Sequence, residues 1–509
     1  MKEKQFLKLS VSAILIVFLA ACSKTAEYTS VIPADATSVV SIDLKALSAK
    51  AELGGSDMQP VREKILSEAK GNMSAEAYQY MEKVMANPNE SGIDLTQPIY
   101  WFNTSTLSGA LIGKVADQGK LKATFDTFIK ENNLAPLTSE RGLTYISHEG
   151  GLYIFNQSTM MIAYSTSGRL DEDAVKALFK QEAGDSFTAM DTFTKMGKQA
   201  CDINYFFTFA SLPDLYASQL QASLPDSVQP KDMGYIGGWN FEDGRIRMKV
   251  ETYMASEETK KLFEEQQALY GKMSNKFAQA APENSLSYIA SSLKGEKIYQ
   301  VLAQNRQVAG MLPPEVMELL KSFIGSLDGE IAAAFTGVEG FTPLFFVYAD
   351  VKDGSGLKAI YDGKDMMGLR AGMLQMGPDE YMYRADMMTF YFGVKDKVAY
   401  FTNALQYARE INKAVSPSVK EAAYASEMDG KLAFMVVNAE EICELPLVKM
   451  VASSAYGDQK ILWDMANDIS YLSIGSEGLT SEASLVLKDQ KTNALKQIVN
   501  YIRKAVGGM

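Results

Sequence analysis

Cys22 has the most specific chemical setting in the chain, because the residues before it match a lipidation signal. Three lysines lie among the first eight residues and precede an apolar run at residues 11–21, an order that is typical of a secretory signal peptide. The run ends in the letters L-A-A-C, which resemble the bacterial lipobox, where signal peptidase cuts before a cysteine whose thiol has received a diacylglycerol. The sequence therefore predicts a cleaved signal peptide at residues 1–21 and lipidation of Cys22.

Acyl chains, rather than a membrane-spanning helix, are expected to anchor the mature chain. No later stretch has the roughly 18 consecutive apolar residues that a spanning helix needs. Two or more acyl chains hold a protein stably on its membrane, so residues 22–30 are interpreted as a lipidated tether. Ser23 rather than Asp follows the cysteine, which by resemblance to Gram-negative sorting rules favours the outer membrane. We expect the protein to face the periplasm, with the cell surface as the alternative.

Catalytic and cofactor motifs are missing from the sequence. No Gly-Lys pair is followed by Ser or Thr, which excludes a phosphate-binding P-loop. Ser67 and Lys70 have Ser-x-x-Lys spacing, but the companion motifs of that enzyme class are absent. His148 is the only histidine and lies beside a predicted turn, which excludes a His-rich zinc site. We therefore predict no catalytic residues, no metal and no cofactor, and the sequence leans away from an enzyme.

Methionine is unusually frequent, with 27 residues in the chain and a cluster between positions 366 and 388. Met366, Met373 and Met376, together with Leu369, have the spacing of one apolar helix stripe. A packed core is the favoured interpretation. A forgiving hydrophobic groove is the second, and soft thioether ligation of Cu(I) is the third. If the segment binds a ligand, these three methionines are the candidates.

Two further cysteines, Cys201 and Cys443, remain once Cys22 is lipidated. An oxidising envelope would permit a disulfide between them, but sequence spacing does not establish the required approach of the two Cα atoms. They take different positions relative to the predicted strands at 203–209 and 432–437. Two buried thiols are therefore favoured, and the disulfide stays open.

Composition bounds the architecture and the partners. The chain of 509 residues is 47% hydrophobic and 22% charged, which is ordinary globular composition and excludes a disordered protein. Single cores stop growing at about 250–300 residues, so two or three domains are expected. The formal net charge of -12 is unsuited to neutralising phosphates, which argues against nucleic acid as a partner.

The two halves of the chain show parallel segments in the same order. Residues 31–45 parallel residues 280–294, with Pro33 matching Pro282 at an offset of 282 − 33 = 249. Leu121 matches Leu357 at an offset of 357 − 121 = 236. The shared order favours a duplication. It predicts a first repeat at residues 31–275 and a second at residues 276–509.

Each predicted repeat mixes strands and helices. Short aromatic and β-branched runs predict strands, Glu149-Gly150-Gly151 predicts a hairpin turn, and charged amphipathic stretches predict a closing helix for each repeat. The fold class predicted is α+β: two tandem duplicated domains, each a mostly antiparallel sheet with helices packed on one side. The principal predicted elements are strands at 100–102, 143–147, 152–155, 160–164, 389–392, 398–402, 469–474 and 481–487, and helices at 257–276 and 491–506.

The opening letters V-I-P-A-D-A at residues 31–36, directly after a lipobox and repeated half a chain later, carry a family resemblance. The chain resembles a family of uncharacterised Gram-negative lipoproteins that is classed as a domain of unknown function. The resemblance covers essentially the whole mature chain. It implies a location and an architecture, and no activity or functional residue.

The function predicted from these observations is a non-enzymatic binding or assembly component of the cell envelope. Its partners would be the membrane, through the acyl anchor, and an envelope protein or an apolar or glycan ligand. One alternative is an envelope hydrolase that acts on glycans through dispersed carboxylates. Another is a carrier of an apolar ligand, for which the methionine-rich segment at residues 366–388 would supply the binding surface.

Overall fold

The computed structural model describes residues 28–166, 170–224, 228–304, 312–369, 371–385 and 388–507. The predicted signal peptide and the lipidation residue Cys22 lie outside the described residues. Within the part of the chain that is described, no helix is both long and apolar enough to cross a membrane.

The strands of the described residues are β1 (Ser38–Ile42), β2 (Ile99–Asn103), β3 (Gly109–Lys114), β4 (Thr138–Glu140), β5 (Leu143–His148), β6 (Gly151–Phe155), β7 (Thr159–Tyr164), β8 (Ile203–Thr208), β9 (Met233–Glu242), β10 (Arg245–Met254), β11 (Tyr270–Gly271), β12 (Ser287–Lys294), β13 (Leu327–Glu339), β14 (Thr342–Val351), β15 (Met373–Gly377), β16 (Glu380–Ala385), β17 (Met388–Lys395), β18 (Val398–Thr402), β19 (Ala433–Val437), β20 (Ile469–Ser476) and β21 (Thr480–Leu487).

The α-helices of the same residues are α1 (Leu44–Lys50), α2 (Gln59–Lys70), α3 (Ala75–Ala86), α4 (Gln118–Glu131), α5 (Glu172–Leu178), α6 (Asp191–Lys198), α7 (Asp214–Ser223), α8 (Glu257–Gln267), α9 (Gly295–Gln304), α10 (Pro314–Ser326), α11 (Ser355–Asp362), α12 (Leu405–Arg409), α13 (Ala439–Glu444), α14 (Pro446–Ser453), α15 (Asp458–Asn467) and α16 (Ala494–Gly507).

The chain divides into two compact units. Unit 1 holds the described residues up to 242 together with 250–256 and 493–507, and unit 2 holds 243–249 and 257–492. Helix α8, at the end of the first predicted repeat, therefore belongs to unit 2, and helix α16, at the end of the second, belongs to unit 1.

Specific contacts explain both assignments. In unit 2, Tyr270 pairs with Leu293, so the segment after α8 is hydrogen-bonded to β12. In unit 1, Lys496 on α16 lies 2.7 Å from the carboxylate of Glu52, and the Asn493 side-chain amide donates to the Phe241 carbonyl oxygen. Side-chain and backbone bonding decide where these terminal segments belong, and chain order does not.

Unit 1 is built on an antiparallel sheet. Its strands run in the order β4–β5–β6–β7–β3–β2–β1–β8–β9. The interior strand β1 places Val39, which is fully buried, in the core beside Phe102 of β2 and Phe206 of β8. The first strand of the unit is thus paired on both sides by later strands.

Unit 2 has an antiparallel sheet of the same strand order. Its strands run β15–β16–β17–β18–β14–β13–β12–β19–β20–β21. Here β12 is an interior strand between β13 and β19, as β1 lies between β2 and β8 in unit 1. Mixed helices and antiparallel strands, as the sequence predicted, make up the described chain.

Helices pack against both faces of the unit 1 sheet, so the prediction that they lie on one side is wrong. Successive residues of a strand point to opposite faces. Met160 of β7 packs with Leu121 and Phe125 of α4, whereas Met161 packs in the cluster that contains Val175 of α5. The apolar run of β7 is not interrupted by polar residues, and this pattern is typical of a strand buried on both faces.

Several local predictions are confirmed, and one helix is shorter than predicted. Strands β5 and β6 match the predicted strands, and Glu149 and Gly150 form the turn between them with φ angles of 48° and 78°. Two positive φ angles are the requirement of a type I′ hairpin. The helix predicted for 257–276 ends at Gln267 as α8, because the chain then forms the short strand β11.

A buried carboxylate links α1 to the strands of unit 1. Asp202 is 5% exposed. Its Oδ2 atom lies 2.7 Å from the Lys50 ammonium and accepts a 2.7 Å hydrogen bond from the Phe241 backbone N–H. We expect Asp202→Ala to destabilise unit 1 by about 2 kcal/mol, because the Phe241 N–H and the half-buried Lys50 ammonium lose the carboxylate that they share. Hydrogen-exchange protection of β1 and β8 amides measures the change.

Asp126→Ala is the matched control for that variant. Asp126 forms an ion pair with Lys122 at 2.6 Å, but both side chains are about half exposed. Exposed pairs contribute at most about 1 kcal/mol. Equal losses of protection in the two variants would contradict the role given to Asp202.

Helix α16 should stabilise unit 1 in particular, because it forms ion pairs with two residues of that unit that lie between α1 and α2. Arg503 lies 3.3 Å from Asp57 and Lys496 lies 2.7 Å from Glu52. Deletion of residues 493–509 is expected to accelerate hydrogen exchange in α1 and α2. Faster exchange in β12, β13 and β14 with unchanged exchange in α1 and α2 would contradict this assignment.

Candidate functional site

Unit 2 contains an apolar cavity of about 320 Å³. Ligand pockets for small molecules occupy roughly 300–1,000 Å³, so the volume lies at the low end of that range. The lining side chains come from two helices and six strands and are almost all aliphatic or aromatic: Phe323, Ser326, Leu327, Ile331, Val347, Ala349, Val351, Asp353, Leu357, Ile360, Leu369, Met373, Tyr383, Phe392, Val394, Ala399, Tyr400 and Phe401.

Strand β14 provides the floor of the cavity and also faces the main core of unit 2. Phe346 and Tyr348 are fully buried in that core. Val347, Ala349 and Val351 alternate with them and line the cavity on the opposite face. Both faces of this part of the sheet are therefore apolar and covered.

Helices α10 and α11 provide the roof. Phe323 of α10 and Leu357 and Ile360 of α11 line the cavity. The two helices approach closely at Gly356, where a Cβ atom would lie 2.5 Å from the Ser326 hydroxyl oxygen. A side chain at position 356 would push the helices apart, so this glycine sets the height of the roof.

The helix at the corresponding place in unit 1 is longer and fills its space with aromatic rings. Helix α4 follows β3 as α11 follows β14, and it has 14 residues where α11 has eight. Phe125 of α4 stacks on Phe155 with ring centroids 5.4 Å apart. The shorter helix of unit 2 covers less of the sheet, which leaves room for the cavity.

The floor continues past the cavity into a group of rings that we call the aromatic surface, formed by Phe335, Phe345, Phe390 and Phe401. The ring centroid of Phe345 lies 5.5 Å from that of Phe401 and 6.0 Å from that of Phe335. The ring centroids of Phe390 and Phe401 are 5.4 Å apart. Phe335 is 43% exposed and Phe401 is 40% exposed. Because Phe401 also lines the cavity, the cavity opens onto an exposed aromatic face.

Charge is confined to the rim of the cavity. The Asp353 side chain is exposed, and hydrogen bonds from Ser355 lower the pKa of its carboxyl. Burial raises the pKa of the Tyr400 hydroxyl to about 12, so this group stays neutral at physiological pH. Among the described lining residues, Asp353 is the one that carries a charge. The described lining therefore suits the apolar part of a ligand.

The three candidate methionines do not form a helix stripe, so that prediction is wrong. Met373 and Met376 lie on strand β15, and Met366 lies in the turn after α11. Met373 is 5% exposed and lines the cavity, whereas Met366 and Met376 are 51% and 61% exposed. Met376 has no partner on β16, because the pairing shifts there in a β-bulge, and its side chain at this irregular position is exposed while that of Met373 is buried.

The remaining candidates from the sequence are not among the cavity-lining residues. Cys201 and Cys443 are half-buried thiols that are not joined in a disulfide. His148 closes strand β5, with its Nε2 atom 3.7 Å from a Glu149 carboxylate oxygen. No group of three or more His, Cys, Asp or Glu side chains that could hold a metal ion occurs within the described ranges.

A second, polar pocket of about 270 Å³ also belongs to unit 2. Its Glu427 carboxylate accepts hydrogen bonds from Arg245 at 2.9 Å and from Tyr471 at 3.0 Å. Lys431 lies 2.5 Å from Glu477 and lowers the pKa of that carboxyl. A glycosidase acid needs a raised pKa. These carboxylates are committed to ion pairs, which suits a structural network better than hydrolysis.

Sequence reasoning missed most of the cavity, including its floor and α10. The available signal was the uninterrupted apolar run of β14 around Val347-Tyr348-Ala349, which indicates a strand buried on both faces. Nothing in that signal reveals that the second face is only partly filled.

Comparisons with known proteins show what the chain is similar to. No curated protein matches the chain by sequence. A solved chain described as "Structure of crystal form IV of TP0453" shares 10% sequence identity, with 44% of this chain and 79% of that chain covered and a TM-score of 0.24. The family described as "Domain of unknown function (DUF4836)" matches residues 28–495. This match spans most of the chain, and the protein belongs to that family.

Proposed function

We propose that this protein is a lipid-anchored component of the cell envelope that binds an apolar ligand in the cavity of unit 2. The observation that carries the proposal is the cavity itself, which is walled by aliphatic and aromatic side chains and charged only at its rim. Removing apolar ligand surface from water contributes about 25 cal/mol of binding free energy per Å². A linear or flat apolar group is the class of ligand that this lining would hold.

The anchor and the location rest on the sequence. The lipobox before Cys22 and the lysine-rich start favour acylation of the mature N-terminus. Ser23 favours the outer membrane, with the body of the protein in the periplasm. An apolar ligand fits this location, because membranes supply such molecules at high local concentration.

A tandem duplication, with repeats at residues 31–275 and 276–509, accounts for the architecture. The common strand order of the two units supports it, as does the equivalent interior position of β1 and β12. The two repeats would have exchanged their last helices, α8 and α16. Divergence after duplication would then have shortened the helix over one sheet and opened the cavity.

Binding is favoured over hydrolysis by the contents of the two pockets. The apolar cavity lacks an ionised pair of carboxylates among its described lining residues. The polar pocket holds carboxylates that are already paired with Arg245, Arg247 and Lys431. An apolar carrier combines the binding role and the carrier role that the sequence suggested separately.

Filling the cavity tests the proposed ligand site. Ala349 and Ala399 line the cavity, and Ala349→Leu with Ala399→Leu places two larger side chains inside it. We expect the mature protein to bind a fluorescent sixteen-carbon fatty acid, and the double variant to bind it at least tenfold more weakly. Fluorescence titration measures affinity, and thermal melting checks that the variant is folded.

Ala433→Leu is the matched control for this experiment. Ala433 is a half-buried alanine on β19 in the same unit and is not among the cavity-lining residues. It should bind the probe like the unmodified protein. Absence of probe binding by the unmodified protein, after removal of copurified lipid, would contradict the proposed function.

The anchor has its own test. Mass spectrometry of the N-terminal peptide from the native envelope should find Cys22 at the terminus with a diacylglyceryl group and one further acyl chain. Cys22→Ala should remove the modification and shift the protein from the membrane to the soluble fraction. A mature chain that starts at another residue would overturn the lipoprotein assignment.

A further inference from the structure

The turn between β13 and β14 presents an aromatic side chain to solvent. Glu339 pairs with Thr342, so Gly340 and Phe341 are the two turn residues, and Gly340 has a φ angle of 64°. Phe341 is 89% exposed, and nearby Val338 is 41% exposed. Tight turns favour Gly, Asn, Asp and Ser. With 89% of its surface exposed, the Phe341 side chain has little contact with the rest of unit 2.

The turn belongs to the same two strands that form the floor of the cavity. Strand β13 leads from the cavity residue Ile331 to Phe335 of the aromatic surface, and on to the turn. Strand β14 returns from the turn through Phe345 to the cavity residue Val347. Exposed apolar groups therefore extend from the tip of the hairpin to the opening of the cavity.

We propose that the β13–β14 turn and the aromatic surface dock on a lipid bilayer, and that the ligand is a lipid acyl chain that enters the cavity across this surface. The inference rests on the proposed function, because it names the source of the apolar ligand. The apolar floor from Phe345 to Val351 covers six residue steps, about 20 Å at 3.3 Å per residue. One leaflet of a bilayer has a hydrocarbon depth of about 15 Å, so the floor is long enough for one acyl chain.

The short reach of the chain from Cys22 favours a bilayer over a protein as the partner of this surface. Six residue steps separate Cys22 from Tyr28, the first described residue, and they reach at most about 21 Å. An acylated Cys22 therefore keeps the body of the protein beside a membrane. The formal charge of -12 gives no attraction to anionic headgroups, so the contact would be made by apolar groups and would depend little on salt.

Flotation with phosphatidylcholine vesicles tests the docking surface. The mature chain, residues 22–509, is used with Cys22→Ser so that no acyl anchor contributes. The test variant carries Phe341→Ser and Val338→Ser. We expect the parent to float with vesicles and the variant to partition about tenfold to a hundredfold less, because one large and one small apolar side chain no longer leave water. Salt between 50 and 500 mM should change neither result by more than about twofold.

Tyr456→Ser is the matched control. Tyr456 is 80% exposed and belongs to the same unit, but it lies between α14 and α15, away from the hairpin. It should float like the parent. Equal flotation of the parent and the hairpin variant, or no flotation of the parent, would overturn the docking surface.

Fatty-acid binding in vesicle-free solution separates this inference from the proposed function. The hairpin variant should bind the fluorescent sixteen-carbon fatty acid with the parent's affinity, since its substitutions lie outside the cavity, but should take it up from vesicles at least tenfold more slowly. Weak vesicle binding with intact fatty-acid binding therefore supports the docking surface. Vesicle binding by a parent that binds no fatty acid in solution overturns the acyl-chain ligand and the proposed function together.

Discussion

The need to cover both faces of an apolar sheet governs the structure of each unit. In β7, Met160 and Met161 are both buried although they point to opposite faces. In β14, Tyr348 is buried in the main core, and its neighbours Val347 and Ala349 line the cavity on the opposite face. Leaving an apolar face exposed to water costs about 25 cal/mol of folding free energy per Å² of accessible surface. The chain therefore supplies helices to the second face of each sheet, and their lengths decide whether that face is filled.

The two units meet this requirement differently with one strand order. In unit 1, the 14 residues of α4 bring Phe125 onto Phe155 and close the second face. In unit 2, α11 ends after eight residues, and Gly356 holds it tightly against α10. A cavity remains between the floor and the helices, and the floor continues past it as an exposed aromatic surface. The unit with the longer helix thus has a packed second face, and the unit with the shorter helix has a candidate binding site.

In each unit, a carboxylate joins segments that are far apart in sequence. Asp202 connects α1 to the end of β9, and Glu427 connects β10 to β20 through Arg245 and Tyr471. Such pairs bring little net stability but penalise any arrangement that leaves a partner unpaired. They account for carboxylates that the sequence alone left available for catalysis.

The sequence by itself determined the features that depend on short-range pattern. Strand alternation located β5 and β6, the Glu149-Gly150 pair determined a hairpin that needs two positive φ angles, and the letters V-I-P-A-D-A indicated a family of unknown function, which the match to residues 28–495 confirms. Each of these signals lies within a few neighbouring residues, where local sterics and side-chain direction dominate.

Only the tertiary structure decided the cavity and the fate of the methionines. Met373 and Met376 have a spacing that suits a helix, but β15 pairs with the aromatic strand β16 and buries only Met373, because strand pairing outweighs weak local preference. Likewise, the letters of β14 require a cover for both faces but do not specify how far α11 extends over one of them. The close approach of α11 to α10 at Gly356 is packing between segments that are far apart in sequence, and such packing has no signature in a single stretch of sequence.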